Sequence, residues 1–307
     1  MVSVVGVGCN AFGARIDEAQ TKAVVDAAID AGITLFDTAD SYADGASEEL
    51  LGRALGKRRD DVLVATKFGM GDHDAEHFGA HGSRRYVRRA VEASLRRLGT
   101  DHIDLYQLHR PDPITPIDET LDAMSDLVTE GKVRYLGSSN LTAWQVADAD
   151  WVARTSGCHR FISAQNEYSL YNRAAEDELV PACERFGIGL LPYFPLAYGL
   201  LTGKYRRGEA APPGSRLEAQ ASRLASADWT RIEALHAFAD DRGISLLALA
   251  IGGLAAQPAV GSVISGVTRR EQVAANVEAG LWQPSEQDLA DLAELRHSSA
   301  FSYTTFA

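Results

Sequence analysis

Cysteine is scarce in this sequence, with three residues among 307. Cys9, Cys158 and Cys183 form no Cys-x-x-Cys pair, so neither a disulfide framework nor a zinc site is indicated, and no metal is expected. Long apolar runs are also missing, since none approaches the roughly 20 residues that a membrane helix needs. Residues 1–13 lack the basic start and the cleavage site of a secretory signal. These absences predict a cytoplasmic protein with no membrane partner.

Positive charge is in deficit, because 30 Lys and Arg face 42 Asp and Glu, which gives a formal net charge of −12. Binding to a nucleic-acid backbone depends on clustered Lys and Arg. The densest basic stretch, residues 83–97, carries its arginines at helical spacing, which is typical of a solvated helix face. The sequence therefore predicts no nucleic-acid partner, and it does not indicate an oligomeric state.

Short apolar, β-branched runs alternate with longer amphipathic ones, which is typical of β-α units around a parallel sheet. Glycines end the predicted helices, for example Gly32 after residues 17–30 and Gly131 after residues 119–129. Eight strands are predicted, at residues 4–8, 34–37, 62–67, 103–108, 133–138, 162–166, 189–193 and 262–264. Eight such units close most naturally into a (β/α)8 TIM barrel, an α/β fold, here a single domain over residues 1–307.

An open, doubly wound sheet is the main alternative architecture. That fold usually carries Gly-x-Gly-x-x-Gly after its first strand, whereas Gly6-Val7-Gly8 is not followed by the third glycine. The barrel is therefore favoured. Residues 202–228 and 284–307 exceed what a minimal barrel needs, and such long loops and tails are commonly functional or disordered.

Polar residues end three neighbouring strands of the predicted barrel, where active sites of this fold lie. These residues are Asp37, Lys67 and His109, and Tyr42 closely follows Asp37. A buried lysine needs a counter-charge, which Asp37 supplies, and such a pair can also be purely structural. Tyr42 favours a chemical role, because a phenol beside an ammonium is a better proton donor.

Tyr42 and His109 together suit a carbonyl oxygen, because negative charge develops on that oxygen when hydride reaches the carbonyl carbon. Side chains cannot supply hydride, so a nicotinamide cofactor is required. The residues therefore predict an oxidoreductase that acts on a small-molecule carbonyl compound.

The sequence resembles the aldo-keto reductase superfamily, in its bacterial type, over nearly the whole chain. The matching stretches are residues 36–39 (Phe-Asp-Thr-Ala) with Tyr42, residues 47–52 (Ser-Glu-Glu-Leu-Leu-Gly), Thr66-Lys67, and residues 103–112, 131–140, 165–168 and 193–204. The resemblance implies a tyrosine general acid, a lysine and an aspartate that tune it, and a histidine that orients the substrate carbonyl. These roles fall on Tyr42, Lys67, Asp37 and His109.

The family binds its nicotinamide cofactor extended across the barrel mouth, and the resemblance implies the residues that hold it. Ser139, Asn140 and Gln165 would hold the carboxamide, and Tyr193 would stack on the nicotinamide ring. The other residues implied are Asp37, Phe194, Pro195, Leu196, Lys204 and Arg216, the last two at the diphosphate, and Gly266, Thr268, Arg269, Gln272 and Asn276 at the adenosine.

The cofactor is expected to be NADPH rather than NADH. Arg269 or Arg270, at a helix start after the eighth strand, would receive the ribose 2′-phosphate. Two arginines at a helix start can equally be solvated surface, which leaves NADH as the alternative.

Some positions depart from the family pattern. Phe194 stands where relatives commonly have serine, Ser265 where proline is common, and Ala275 where a glutamate often meets the adenosine. The chain also begins almost at its first strand, so the hairpin that usually closes the barrel bottom is expected to be absent or trimmed. These differences bear on the cofactor site and the barrel floor, and they leave the four catalytic candidates unchanged.

His73, His77 and His81 recur every four residues, a spacing that would align them for a metal on a helix. Their segment is rich in glycine and lies where the family has a mobile substrate loop. A structural or substrate-lining role is therefore favoured over a metal site.

Five further aromatic residues lie outside these motifs. Phe301, Tyr303 and Phe306 form an aromatic tail that either packs as structure or folds over the barrel mouth, as tails of the family often do. Trp144 and Trp151 are seven residues apart in the fifth helical stretch, and we expect them to pack against the barrel.

A second function stays open, that of a nicotinamide-binding regulatory subunit that senses redox state through a partner and has weak turnover. Some barrels of this superfamily act in that way. His109 favours the enzyme, because the best-known subunits of that kind have lost the histidine at this position. The particular aldehyde or ketone depends on loop residues that follow no transferable code.

Overall fold

The computed structural model describes residues 2–70 and 80–296. Eight parallel strands form one sheet in the order β7-β6-β5-β4-β3-β2-β1-β8. Their bounds are β1 Val5–Gly8, β2 Leu35–Asp37, β3 Leu63–Phe68, β4 Ile103–Leu108, β5 Val133–Ser139, β6 Phe161–Gln165, β7 Gly189–Leu190 and β8 Val263–Gly266. All eight predicted strands are therefore present within these residues.

The sheet curls until its two outer strands meet. Leu190 N donates to Ala259 O at 2.7 Å, and Gly261 N donates to Leu190 O at 2.8 Å. Ile264 N also donates to Pro192 O at 3.1 Å. These three hydrogen bonds close the ring between β7 and β8, and the (β/α)8 TIM-barrel fold predicted from the sequence is confirmed.

β7 is shorter than predicted, since residues 189–193 were expected and only Gly189–Leu190 form a regular strand. Pro192 has no N–H to donate, which interrupts the ladder. Tyr193 N still donates to Asn166 O at 3.0 Å, so the chain continues along β6 without regular pairing.

The helices pack around the barrel. They are α1 Glu18–Asp30, α2 Ala46–Leu55, α3 Arg84–Leu98, α4 Ile117–Thr129, α5 Ala143–Ser156, α6 Leu179–Phe186, α7 Ala221–Ala225, α8 Trp229–Asp241, α9 Leu246–Ala248, α10 Arg270–Ala279 and α11 Glu286–Glu294. Asp17 caps α1 by accepting a hydrogen bond from Gln20 N at 2.9 Å. Left-handed glycines end α3, α5 and α6, at Gly99, Gly157 and Gly187.

The prediction for the two tryptophans of α5 was wrong. Trp144 and Trp151 are 66% and 67% exposed and do not pack against the barrel. The helix buries the smaller Val146, Ala149 and Ala153 instead, which lie on its opposite face. Their seven-residue spacing placed the tryptophans on one face, but the spacing did not indicate which face points inward.

Within the part of the chain that the structure describes, every helix is too short or too polar to span a bilayer. The aromatic tail, with its predicted place over the barrel mouth, lies outside the described residues.

Candidate active site

Three adjacent strands bring the predicted catalytic residues together. Asp37 ends β2, and Lys67 lies near the end of β3 beside Gln107 of β4 in the strand register. His109 follows β4 directly, and its N–H donates to Phe68 O of β3 at 2.9 Å. Because parallel strands end at the same edge of the barrel, these side chains share its mouth.

Lys67 is fully buried, and its ammonium has three acceptors for its three protons. Nζ lies 2.6 Å from Asp37 Oδ2, 2.8 Å from the Thr38 carbonyl oxygen and 3.2 Å from the Tyr42 hydroxyl. Burial alone lowers the pKa of Lys67, but Asp37 and Tyr42 outweigh it and the net shift is upward. The lysine therefore carries its charge inside the barrel.

Asp37 has its second oxygen occupied as well. Gln165 Nε2 donates to Oδ1 at 2.9 Å, and Gln107 Nε2 donates to the same oxygen at 3.2 Å. Sequence reasoning missed Gln107. It lies on β4 two positions before His109, which follows the strand, and the two-residue period of a strand is the signal that could have found it.

Tyr42 begins a short helical turn, Tyr42–Gly45, and its hydroxyl oxygen accepts from Lys67. The phenolic proton is thus left for another acceptor. Burial raises the pKa of Tyr42 and the Lys67 ammonium lowers it, and the net shift is upward. The acidifying effect expected of Lys67 is present, but burial exceeds it, so the phenol stays protonated at neutral pH.

His109 is buried, with 5% of its surface exposed. Burial, with the nearby charges of Lys67 and Arg110, lowers its pKa to about 3. Its ring stands edge-on to the Tyr42 ring, with centroids 5.9 Å apart. Nδ1 has no hydrogen-bond partner among the described residues. The imidazole is therefore neutral and adjacent to the phenol.

The residues expected to hold a carboxamide already contact one another. Ser139 Oγ donates to the Gln165 carbonyl oxygen at 2.8 Å, and Asn140 Nδ2 donates to Ser139 Oγ at 3.1 Å. Tyr193 OH donates to Asn140 Oδ1 at 2.8 Å. Asn140 has a left-handed backbone, with φ of 60°. The ends of β5 and β6 and the stretch after β7 thus form one connected polar cluster.

Beyond Tyr193, the residues expected at the diphosphate combine aromatic rings with cations. The Arg216 guanidinium lies 5.4 Å from the ring of Phe194, which Pro195 and Leu196 follow along the chain, and 5.2 Å from that of Tyr198. Burial, the largest cause, lowers the pKa of Arg216. Arg216 has no carboxylate partner within residues 2–70 and 80–296. Lys204 lies 5.2 Å from the Tyr205 ring.

The residues expected at the adenosine surround the junction of β8 and α10. Gly266 ends β8, and Thr268 donates to Gln272 Oε1 through its N–H at 2.7 Å and its hydroxyl at 3.1 Å. Asn276 is buried on α10. The loop and the first turn of the helix are therefore held together by side-chain hydrogen bonds.

The structure distinguishes the two arginines at this helix start. Arg270 lies 3.1 Å from Glu271 and forms an ion pair with it. Arg269 precedes the first helical turn, is exposed, and has no ion pair with any residue that the structure describes. Arg269 is the one whose guanidinium is available to an anion.

These donors fit a nicotinamide dinucleotide. Amide and hydroxyl groups suit the carboxamide, and the Tyr193 ring is only partly buried and suits stacking. Arg216 and Arg269 form no ion pair within the described part of the chain and suit phosphate oxygens. No group of three or more His, Cys, Asp or Glu is arranged to hold a metal ion in that part. His73 and His77 lie outside it.

The mouth of this parallel barrel combines a buried lysine and aspartate with a phenol and a neutral imidazole. This combination is typical of (β/α)8 enzymes that transfer protons. The model of the Aldo/keto reductase family matches residues 4–297, and the chain belongs to this family. The resemblance inferred from the motifs is thus confirmed.

Relatives cover most of the chain. A probable aldo-keto reductase 1 of Glycine max is 36% identical over 95% of this chain and 85% of its own length. A versiconal hemiacetal acetate reductase of Aspergillus parasiticus is 33% identical over 89% and 87%. A probable voltage-gated potassium channel subunit beta of Oryza sativa subsp. japonica is 38% identical over 87% and 84%. As a family member the chain is an oxidoreductase for small-molecule carbonyl compounds that uses a nicotinamide cofactor.

Proposed function

We propose that this protein reduces aldehydes or ketones to alcohols with NADPH, and that Tyr42 is the general acid. The observation that carries the proposal is one chain of contacts. The Tyr42 hydroxyl lies 3.2 Å from Lys67 Nζ, which lies 2.6 Å from Asp37. The phenol keeps a proton to give, and a fixed positive charge lies beside the oxygen that gives it.

The reduced nicotinamide supplies the hydride when it is bound. Tyr42 donates its phenolic proton to the carbonyl oxygen, where negative charge develops. The phenolate that remains is stabilised by the Lys67 ammonium, and Asp37 holds that ammonium in place. His109, being neutral, orients the carbonyl by a hydrogen bond and adds no charge.

The polar cluster around Asn140 is proposed to hold the carboxamide, with Tyr193 against the ring. The proposed diphosphate residues are Pro195, Leu196, Lys204 and Arg216, with Phe194 beneath the guanidinium. NADPH is preferred over NADH because Arg269 is free of an ion pair within the described residues, whereas Arg270 is not. The whole chain, residues 1–307, is proposed to form one domain.

The regulatory-subunit alternative has limited support. Two relatives, of Oryza sativa and Arabidopsis thaliana, are named as probable potassium channel subunits beta, and two others are named as reductases, so the names alone do not decide between the functions. His109 is present and lies beside Tyr42, which favours turnover. We therefore retain the reductase as the proposed function.

Replacement of Tyr42 by phenylalanine tests the mechanism. Purified protein is mixed with NADPH and an activated aldehyde such as 4-nitrobenzaldehyde, and NADPH consumption is followed by absorbance. Tyr42→Phe should lower kcat by about a hundredfold or more, because the proton donor is lost. The dissociation constant for NADPH, measured by fluorescence, should stay within about twofold of the parent's, since the ring remains.

Tyr135→Phe is the matched control, because Tyr135 lies on β5, is 55% exposed and takes no part in the site. It should turn over like the parent. Equal kcat values for Tyr42→Phe and the parent would show that the mechanism is wrong.

A further inference from the structure

The turn that carries Tyr42 is held in an unfavourable backbone conformation. Ala43 has φ of 50° and Asp44 has φ of 52°, and Gly45 continues in the same region with φ of 89°. Three successive left-handed residues, two of them not glycine, persist only where the surroundings determine them. The position of Tyr42 therefore depends on what packs against this turn.

Arg97 of α3 packs against the end of the turn from outside the barrel. A Cβ built on Gly45 would lie 2.7 Å from Arg97 Cδ and 2.9 Å from its Nε, so the arginine stem lies directly on the glycine. Any larger residue at position 45 would displace it. The Arg97 side chain thus restricts the position of the Tyr42–Gly45 turn.

Arg97 is itself fixed by a buried carboxylate. Its Nε donates to Glu48 Oε2 at 2.7 Å, and Glu48, in the first turn of α2, is fully buried. The other Glu48 oxygen accepts from Thr66 Oγ1 at 2.5 Å. Thr66 precedes Lys67 on β3. A continuous chain of contacts therefore runs from the Tyr42 turn, through Arg97 and Glu48, to the strand that carries Lys67.

We propose that Arg97 and Glu48 are positioning residues, which set the contact between Tyr42 and Lys67 from outside the barrel. This inference rests on the proposed function, because it assigns a role in delivering the Tyr42 proton. Arg97 contacts Glu48 and Gly45, and Glu48 contacts Thr66, so the proposed role of both is indirect. They act by holding the two partners of a 3.2 Å contact, one on a strained turn and one on a strand.

Arg97 is accessible to small solutes from the outer surface. It lines a cleft of about 670 Å³ between the Tyr42 turn and helices α3 and α4. The other charged residues of the cleft are Asp40, Asp44, Arg88, Arg89, Glu92, Arg96 and Lys132. A guanidinium ion can therefore enter from this side and occupy the place of a truncated Arg97.

The experiment compares Arg97→Ala with Arg96→Ala. Arg96 is the neighbouring arginine, exposed on the same turn of α3, and its removal changes the net charge equally. Misplacement of a reacting group by about 1 Å costs on the order of a hundredfold. We expect kcat of Arg97→Ala to fall about ten- to a hundredfold, with the NADPH dissociation constant within about twofold of the parent's. Arg96→Ala should match the parent.

Two further readouts separate positioning from a general loss of folded protein. The solvent deuterium isotope effect on kcat should rise in Arg97→Ala, because proton donation becomes slower. Millimolar guanidinium should restore part of the lost kcat in Arg97→Ala, and it should have no such effect on Tyr42→Phe. Where Arg97→Ala fails to fold, the near-isosteric Glu48→Gln should show the same lower kcat and larger isotope effect.

A kcat within twofold of Arg96→Ala would overturn the proposal, and so would a lower kcat with an unchanged isotope effect and no rescue. Failure of the two proposals can be told apart. An active Tyr42→Phe variant contradicts the proposed function itself. An inactive Tyr42→Phe variant beside a fully active Arg97→Ala variant contradicts the positioning role alone.

Discussion

Asp37 has both of its carboxylate oxygens hydrogen-bonded inside the barrel. One oxygen accepts from Lys67, and the other accepts from the amides of Gln107 and Gln165. The carboxylate thus joins β2 to β3, β4 and β6 inside the barrel. Its removal affects charge and hydrogen bonding together, so a single replacement cannot separate structure from chemistry.

A pair of replacements separates them. Lys67→Met leaves Asp37 as a buried charge without its partner, so we expect the free energy of unfolding to fall by about 3–5 kcal/mol. The double variant Asp37→Asn with Lys67→Met removes both charges and should recover most of that loss. Both variants should be inactive, because the phenolate is no longer stabilised.

Urea unfolding and the aldehyde assay measure the two effects. A double variant no more stable than Lys67→Met would contradict the charge argument. Activity in the double variant would contradict the role of Lys67.

Sequence reasoning found Asp37, Tyr42, Lys67 and His109, because a polar residue at the end of an apolar strand stands out and the family motif agrees. Their proximity in the structure follows from strand order. Arg97 was not found, since it is one of several arginines on α3 and its contacts come from helix packing. That packing is set by tertiary structure, and no spacing in the sequence encodes it.

Among the elements, the strands were the most predictable. Each short apolar run became a strand, and glycines ended helices where expected, as at Gly187. The predicted β7 was too long, because apolar residues continue past Leu190 in the sequence. Regular pairing stops there because Pro192 has no backbone N–H to donate. The face of α5 that packs against the barrel was also predicted wrongly. The seven-residue spacing of the tryptophans showed that they share a face, but not whether that face points to the barrel or to solvent.

The start of α10 carries the prediction for cofactor choice. Arg269→Ala should weaken NADPH binding by about tenfold, since a charge-assisted hydrogen bond contributes about 1.5–3 kcal/mol. NADH binding should change little, because NADH has no 2′-phosphate. Arg270→Ala is the matched control, since Arg270 is paired with Glu271. Dissociation constants for both cofactors come from fluorescence titration. Equal weakening of NADPH and NADH in Arg269→Ala would contradict the role.

The molecule as a whole carries a formal charge of −12, and one partly buried carboxyl, that of Asp40, resists ionisation. Burial and the neighbouring Glu48 raise the pKa of Asp40 to about 7, against the opposing effects of Arg97 and Lys67. Its Oδ1 has no hydrogen-bond partner within residues 2–70 and 80–296. Burial, and after it the charge of Asp40, raises the pKa of the fully buried Tyr106.

The pH dependence of stability follows from this shift. A carboxyl with a raised folded-state pKa binds its proton more tightly in the folded state, so its contribution to stability falls as pH rises from about 4 to about 7. Asp40→Asn mimics the protonated form. We expect its Tm to exceed the parent's at about pH 8, and to differ less at about pH 5.

Asp60→Asn is the control, because Asp60 is exposed. Its Tm relative to the parent should be the same at both pH values. A Tm difference for Asp40→Asn that does not grow between about pH 5 and about pH 8 would contradict the raised pKa.

The barrel closes between β7 and β8 through three backbone hydrogen bonds, where the other neighbours pair along regular ladders. The proposed nicotinamide residues follow β7, and the proposed adenosine residues follow β8. A dinucleotide bound at both sites would span this junction and link the segments that follow β7 and β8. Its binding free energy would then add to the stability of the closed ring, by RT ln(1 + [L]/Kd). Saturation with cofactor would therefore stabilise the barrel at the β7–β8 junction, where no regular ladder of backbone hydrogen bonds joins the strands.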